Sequence, residues 1–389
     1  MNQNSRKLIC SRAINKVGNV LYDYGNSVWI ASMGAVGQQF LGAYQLVEQL
    51  VSIILNPFGG AIADRFRRRQ ILLVTDAVCA LVCFLVALIS NDKLMLYALL
   101  MVNGVLALSS SFSSPANKSF ITAVVPKEEL VDYNATLEVV LKIISVSAPL
   151  LSFLLVKTAS LQLTLFFDGI SFALSFLLVW LIRVEEQLPA VRTFQWRKIL
   201  ADIWEGAVFI GREKDIFFLL MVASGVNIFI AGLNYLLPFT DSLYQQPGSY
   251  ATILSMGAGG AICGALVSRK VPSTVMSLLI SLALSGLGIV VLGLPLPLLV
   301  CQAGNFLFEF FLTIFNIHFF SQVQSRVPNA YLGRVFSSIF TLAILLMPLG
   351  TIIMTVLPHS VTWQSFIVIG VGMAIFALGS LVYARHSLK

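Results

Sequence analysis

Twelve apolar runs, each long enough to cross a bilayer, follow one another along this 389-residue chain. A membrane span needs about 20 mainly apolar residues, because the hydrocarbon core is about 30 Å thick. Since a backbone in lipid must satisfy its own hydrogen bonds, each run is predicted to be an α-helix. A hydrophobic share of 58% with only 11% charged residues excludes a soluble globule with a polar shell. The runs begin near Arg12, Ala43, Ile71, Leu94, Tyr133, Leu161, Ile216, Tyr250, Ser273, Leu298, Val335 and Trp363.

The basic residues predict the orientation of these spans. With the N-terminus in the cytoplasm, 22 of the 25 lysines and arginines fall in cytoplasmic segments. Only Lys93 and Lys157 then lie outside, and Lys142 lies within a span. Because short cytoplasmic loops retain basic residues, we expect a multi-pass protein of the cell, or inner, membrane with both termini in the cytoplasm. The formal charge of +7 follows from this topology, so no nucleic-acid partner is implied.

Three short motifs recur in order at an almost constant offset along the chain. One such match in an apolar sequence would be chance, but three at one offset indicate an internal repeat. The pairs are residues 59–62 with 259–262 (Gly-Gly-Ala-Ile), 125–130 with 327–332 (Val-Pro-x-x-x-Leu) and 149–150 with 348–349 (Pro-Leu).

The repeat predicts an all-α polytopic membrane protein of twelve transmembrane helices in two parallel-related six-helix halves. The halves are expected at residues 1–183 and 216–389. The linker 184–215 begins polar and then becomes amphipathic, with Trp196 and Trp204 among basic residues. It is predicted to lie as a helix on the cytoplasmic face of the membrane.

The turn between the second and third runs, residues 56–76, carries five charges in the six positions 64–69. A basic cluster alone predicts no more than an anchor on the inner surface. The spacing of the glycine and the aspartate in this turn is a more specific feature. The turn resembles the signature loop between the second and third helices of the major facilitator superfamily of transporters. The residues that fit the signature are Gly60, Asp64, Arg65, Arg68 and Arg69.

One departure narrows this resemblance to a branch of the superfamily. Arg67 stands where the family usually has glycine, which is similar to the macrolide-efflux and siderophore-exporter-like branch of drug:proton antiporters. The resemblance implies alternating access between two halves, with the first, fourth, seventh and tenth spans lining a central cavity. The residues it implies for gating are Gly60, Asp64, Arg65, Arg68, Asp76 and Arg334.

Polar side chains recur every three to four residues on four spans, so they share one helical face on each span. Polar groups in lipid are costly unless they face a bundle interior or water, and such faces are therefore candidate substrate-binding surfaces. Hydrogen bonding between helices is the alternative role for each amide. The candidates are Asn19, Tyr22 and Asn26 on the first span, Gln45 and Gln49 on the second, Asn227 and Asn234 on the seventh, and Gln302 and Asn305 on the tenth.

Three acids lie deep within spans and have no cationic neighbour in local sequence: Asp23, Glu48 and Glu309. Because burial penalises the charged carboxylate, they are our candidates for proton coupling, with Asp23 first. Glu138 and Lys142 are four residues apart, a spacing that predicts a structural ion pair.

The predicted lining is mainly amide and aromatic, with phenylalanines clustered around Glu309 on the tenth span and no arginine on the stripes. Such a surface favours a bulky, mainly apolar ligand. The sequence has no nucleotide-binding or hydrolase motif, so an enzyme, a cofactor and a metal site are not expected. The five cysteines are interpreted as thiols packed in the helix bundle.

The function that these observations favour is proton-coupled export of an amphiphilic or hydrophobic small molecule, macrolide-like or multidrug-like, by a monomer that contacts membrane lipids. Two alternatives remain: a flippase for a lysolipid or lipid-linked substrate on the same fold, and a membrane receptor or scaffold that transports nothing.

The turn leads to a first testable prediction. Asp64 is expected to meet the start of the eleventh span near Arg334, where a carboxylate gains about 0.3 to 1 kcal/mol from a helix N-terminus. Asp64→Asn should weaken closure on the cytoplasmic side and raise the labelling of engineered cysteines from that side. An unchanged labelling pattern would argue against a gating role.

Overall fold

The computed structural model describes residues 2–63, 65–158, 160–184, 201, 204, 208, 210–326 and 332–387. Asp64 and most of the predicted amphipathic linker lie outside these residues.

Six long helices make up the first part of the chain. The first begins after Asn2, whose side chain accepts a hydrogen bond from the Ser5 backbone N–H, the usual stabilisation of a helix start. Each predicted run in this part corresponds to one helix. The bounds are α1 Gln3–Ala31, α2 Gly34–Ala63, α3 Arg68–Ala87, α4 Asp92–Val124, α5 Leu130–Thr158 and α6 Leu161–Trp180.

The second part continues in the same way, except that its eleventh span is broken. A turn at Leu345 and Leu346 separates two shorter helices. Pro348 lies two residues after Leu346 and lacks the N–H that an unbroken helix would use there. The bounds are α7 Lys214–Leu236, α8 Ser249–Ser268, α9 Val275–Leu292, α10 Leu298–Arg326, α11 Leu332–Ile344, α12 Met347–Val356 and α13 Trp363–Ser387.

These helices are consistent with the twelve predicted spans. Within the described residues, ten segments are long and apolar enough to cross a membrane, one of them the broken segment Ser338–Val356. α1 and α2, with 29 and 30 residues, match the other two predicted spans in length. The predicted all-helical membrane fold is confirmed.

The chain divides into two compact units. The first unit is Met1–Met33 with Val47–Ala201, and the second is Gly34–Leu46 with Asp202–Lys389. The division therefore falls within the predicted linker, at residues 201 and 202. It differs from the predicted halves in one respect, since the start of α2 groups with the second unit. There, the Tyr235 hydroxyl donates to the Gln38 carbonyl oxygen at 2.8 Å.

The same helix neighbours recur in both units. In the first unit α3 packs on α4 and α6, and α1 packs on α5 and α6. In the second unit α9 packs on α10 and α13, and α7 packs on α12 and α13. If the spans of each unit are numbered from one to six, both units pack the third span on the fourth and sixth and the first span on the fifth and sixth. A repeat of parallel topology requires this agreement.

Glycines hold equivalent helix pairs close together. A Cβ placed on Gly59 of α2 would collide with the Ser111 carbonyl oxygen of α4, and one on Gly260 of α8 would collide with the Phe306 carbonyl oxygen of α10. In lipid, helices associate through this kind of close backbone packing. The repeated glycine motif thus marks the second and fourth spans of each unit.

Gly260 and its neighbour provide a matched test of this packing. Gly260→Ala should destabilise the protein by about 1 to 3 kcal/mol, because α8 and α10 must separate. Gly259→Ala should be neutral or stabilising, since its Cβ would have its nearest atom at 3.9 Å and alanine favours a helix over glycine by about 1 kcal/mol. Thermal unfolding in detergent, followed with a fluorescent maleimide that reacts with the buried cysteines as they become exposed, measures both. Equal midpoints for the two variants would contradict the packing role.

Candidate functional site

A cavity of about 280 Å³ lies within the first unit. It follows α1 from Ser11 to Asp23, roughly 18 Å at 1.5 Å per residue, and α2, α3, α4 and α6 complete its walls. We call it the first-unit cavity. Its lining residues are Ser11, Arg12, Asn15, Asn19, Tyr22, Asp23, Glu48, Ser52, Leu72, Thr75, Asp76, Cys79, Asn103, Leu106, Ala107, Ser109, Ser110, Ser113, Ser114, Asn117, Phe172, Ser175 and Val179.

One end of the cavity holds two carboxylates from different helices. Asp23 of α1 and Glu48 of α2 both line the cavity and are exposed to it, and they are close enough to interact electrostatically. The Glu48 carboxylate has a side-chain hydrogen bond with Asn103 of α4. No described residue donates a hydrogen bond to Asp23, whose only nearby cation is Lys16. Asp23 is therefore available to a proton or a ligand.

The other end is a hydrogen-bonded network around Asp76 of α3. The Ser175 hydroxyl of α6 donates to Asp76 Oδ2 at 2.6 Å. The Asn15 amide of α1 donates to Ser175 Oγ at 3.0 Å and to Asp76 Oδ1 at 3.5 Å. The Arg12 guanidinium adds an opposite charge nearby. Three helices thus meet at one buried carboxylate.

This network corrects two expectations. Asp76 is buried and lines the cavity, so it belongs to the cavity and not to the surface turn with which the family resemblance grouped it. An arginine does reach the lining, although none was expected there. The reason is the length of α1: it begins at Gln3, which places Arg12 more than two turns inside the helix.

Asp168 braces α6 against two other helices. It is fully buried, accepts from the Ser171 hydroxyl at 3.2 Å, and is approached by the Cys83 thiol of α3 at 3.8 Å. A Cβ on Gly18 of α1 would lie 2.6 Å from its Oδ1, so α1 can reach this carboxylate only with a glycine there.

The predicted amides of the second unit mainly connect helices. Gln302 of α10 donates to Thr252 of α8 at 2.7 Å, and Asn305 donates to the Ile253 carbonyl at 2.8 Å. Asn227 of α7 donates to the Ala343 carbonyl of α11 at 2.8 Å. The alternative role of interhelical hydrogen bonding therefore holds for these three.

The start of α2, which belongs to the second unit, also forms hydrogen bonds to a neighbouring helix. Gln45 donates to the Asn234 carbonyl at 3.1 Å, and the Asn234 side chain is exposed.

Glu309 of α10 lies beside Gly257 of α8, with its Cγ 3.1 Å from a Cβ built on that glycine. Of the remaining predicted first-unit residues, Asn19 and Tyr22 line the cavity, whereas the buried Asn26 and the half-buried Gln49 do not.

The basic turn binds the end of a helix. Arg69 donates to the carbonyl oxygens of Val179 and Trp180, the last residues of α6, where a cation is favourable. Arg68 begins α3, and Arg65 is half-buried in the turn. Gly60 lies within α2, Arg334 lies within α11 and Asp64 is not described, so the gating roles stay predictions.

The predicted ion pair on α5 is not formed. Glu138 is exposed and Lys142 is half-buried, and no described contact joins their charged groups.

The cavity residues that sequence patterns missed include Arg12, Asn103, Asn117 and Ser175. Asn103 and Asn117 do carry a signal, since they are the two amides within the α4 span. Among the described residues, no group of three or more His, Cys, Asp or Glu side chains is placed to hold a metal ion.

The Asp76 network leads to a double-mutant prediction. Asp76→Asn and Ser175→Ala should each destabilise the protein, and their coupling free energy should be about 1 to 3 kcal/mol, because both remove the same charged hydrogen bond. The control pairs Asp76→Asn with Ser147→Ala, whose hydroxyl donates to the Ile143 carbonyl of its own helix. Denaturant unfolding of the four proteins in each cycle measures the coupling, and additive effects in the first cycle would refute the network.

Solved structures share this fold over nearly the whole chain. A bacterial homologue of the human lysosomal transporter spinster matches with a TM-score of 0.77 at 13% identity, covering 100% of this chain and 98% of that one. A bacterial homologue of the iron transporter ferroportin matches with a TM-score of 0.73 at 14% identity, covering 98% and 99%. These likenesses show the fold alone.

Two characterised relatives are transport proteins. Macrolide efflux protein A of Enterococcus faecalis is 23% identical over 331 residues, 81% of this chain and 100% of that protein. A Na⁺, Li⁺, K⁺/H⁺ antiporter of Planococcus maritimus is 30% identical over 197 residues, 49% of this chain and 46% of that protein. The family model described as Major Facilitator Superfamily matches residues 35–350. Since that match covers most of the chain and agrees with the fold, the chain belongs to the Major Facilitator Superfamily.

Proposed function

We propose that this protein is a proton-coupled secondary exporter of an amphiphilic or hydrophobic small molecule, working as a monomer by alternating access in the cell membrane. Its relatives include macrolide efflux proteins and an antiporter. Both termini are proposed to be cytoplasmic, with membrane lipids as the surroundings and protons and one small molecule as the transported species.

The observation that supports coupling best is the end of the first-unit cavity where Asp23 and Glu48 meet. Two carboxylates from different helices share one exposed space and repel each other when both are charged. A proton or a cationic ligand removes that repulsion. The proton and a cationic ligand would therefore compete for the same electrostatic site.

Competition for one site is the minimum requirement for coupling two transported species. Proton binding and substrate binding must favour different states of the same element, and α1 carries Asp23 together with the lining residues Asn19 and Tyr22. Each pH unit supplies about 1.4 kcal/mol per proton, and each 100 mV supplies ~2.3 kcal/mol per charge moved. Ordinary membrane gradients are thus adequate to drive export.

Asp23→Asn tests the proton site directly. The variant mimics the protonated acid, so it should fold and retain passive exchange while losing uphill transport driven by a pH gradient. Transport of a radiolabelled macrolide and a panel of hydrophobic cations into inverted vesicles, with and without an imposed gradient, measures this. Asp92→Asn is the matched control, because Asp92 is an exposed acid in the first turn of α4.

The outcomes separate the alternatives. Wild-type transport by Asp23→Asn, with transport abolished in Glu48→Gln or Glu309→Gln, would move the proton site to another acid. Movement of lysolipid and not of macrolide would indicate a flippase. No gradient-dependent movement of any compound by the folded wild-type protein would favour a receptor or scaffold.

A further inference from the structure

The first-unit cavity is polar, which differs from the amide and aromatic lining expected from the sequence. Of its 23 lining residues, nine carry hydroxyls, four are asparagines, and Tyr22 and Phe172 provide the aromatic rings. Buried hydroxyls and amides are stable when they have hydrogen-bond partners. A molecule that fills this cavity must therefore supply such partners.

Three serines of α4 lie on the cavity face with their hydroxyls unused. Ser110, Ser113 and Ser114 line the cavity, and none of them forms a hydrogen bond with a described residue. A serine within a helix can donate to the carbonyl four residues earlier, as Ser111 does to Ala107 at 2.9 Å. The hydroxyls of the three cavity serines are thus left for a bound molecule or water.

Two asparagine oxygens in the same cavity also lack partners. Asn117 of α4 is 7% exposed, and its Oδ1 accepts no hydrogen bond from a described residue. The same holds for Oδ1 of Asn15 on α1, whose amide nitrogen already donates to Ser175 and Asp76. Both oxygens are acceptors, so the partner that fits them is a donor.

These groups lie at about the same level along the first unit. Leu8 of α1 and Phe120 of α4 belong to one buried apolar cluster. The first and fourth spans run in opposite directions, so Asn15 and Ser113, each seven residues from that cluster, are both about 10 Å along their helices. Asp23 lies eight residues farther along α1, about 12 Å away. We use the name Asn117 site for Asn15, Ser113, Ser114 and Asn117.

The charges beside the Asn117 site balance each other. The acid next to Asn15 is Asp76, and the Arg12 guanidinium lies near that carboxylate with the opposite charge. The Asp76 oxygens also accept hydrogen bonds from Ser175 and Asn15. With its charge and its hydrogen bonds already used, this carboxylate does not select a cation, and an uncharged ligand fits the site.

The space limits the ligand to about one ring. Whole drug-sized ligands usually occupy about 300 to 1,000 Å³, and the first-unit cavity measures about 280 Å³ over its full length. The Asn117 site takes up one part of that length. Ser113 and Asn117 are about one helical turn apart, ~6 Å along the axis, a distance that one six-membered ring with its hydroxyls can span.

We propose that the Asn117 site binds an uncharged, hydroxylated six-membered ring, such as a hexose, as the head group of the transported amphiphile. This rests on the proposed function, because it specifies a substrate class for that exporter. Ring hydroxyls donate to Oδ1 of Asn15 and of Asn117, and the hydroxyls of Ser113 and Ser114 donate to ring oxygens.

Two octyl glycosides with the same tail test the requirement for donors. Octyl β-glucoside carries free hydroxyls, and its fully O-methylated form keeps the oxygens but has no donor. Equilibrium dialysis of each radiolabelled compound between nanodiscs holding the purified full chain and empty nanodiscs of the same lipid measures binding without lipid partitioning. Octyl β-glucoside should bind about tenfold more tightly than the methylated form, equivalent to ~1.4 kcal/mol, because the methylated form leaves both asparagine oxygens unpaired.

Three variants assign the preference to residues. Ser113→Ala and Asn117→Ala should each weaken octyl β-glucoside about fivefold, because each removes one hydrogen bond, and should leave the methylated form within about twofold. Ser111→Ala is the matched control and should match the wild type, since Ser111 lies on the same helix but donates within it. If Asn117→Ala does not fold, the two compounds on the wild type and on Ser113→Ala still decide the question.

Three results would overturn the assignment: equal affinity for the two compounds, no saturable binding of octyl β-glucoside to folded protein, or equal weakening by Ser111→Ala and Ser113→Ala. Failure of the proposed function would look different, because binding needs no gradient. A retained preference for octyl β-glucoside without proton-driven transport of any compound would refute the exporter alone. Proton-driven transport that does not distinguish the two octyl compounds would refute the head-group assignment alone.

Discussion

A polar group inside a membrane protein is stable only where a donor, an acceptor, a counter-charge or water reaches it. α1 is subject to this constraint, because it carries Arg12, Asn15, Asn19 and Asp23 over about three turns. Those side chains cannot face lipid. The helices around α1 therefore surround a shared polar space, and close contacts such as that of Gly18 with Asp168 let α6 reach it.

The two units satisfy the constraint in different ways. In the second unit, Gln302 and Asn305 are hydrogen-bonded to the neighbouring helix, so their polarity contributes to helix packing. In the first unit, Asp23 and Asn19 line a cavity instead, and no described residue donates a hydrogen bond to Asp23. Those side chains remain available to a proton or a ligand, which is why the candidate site lies in the first unit.

The sequence predicted the helices well, because hydropathy over about 20 residues is a local property that membrane thickness dictates. It also selected Asp23 and Glu48 as acids deep within spans, and both line the first-unit cavity. It could not place Asp76, whose partner Ser175 is 99 residues away in the chain. Whether an amide such as Asn305 binds a ligand or another helix is likewise decided by packing. The same polar helical face in the sequence is compatible with either role.

The glycine contacts of Gly59 and Gly260 have an evolutionary consequence. They hold the same pair of spans in each copy of the repeat, so the backbone spacing of the repeated unit is maintained on both sides. The polar side chains of the copies have taken different roles, with helix packing in one and an open cavity in the other. Substitutions in α1 or α4 can then alter what is recognised without loosening α8 from α10, so substrate range and fold stability can change independently within one duplicated chain.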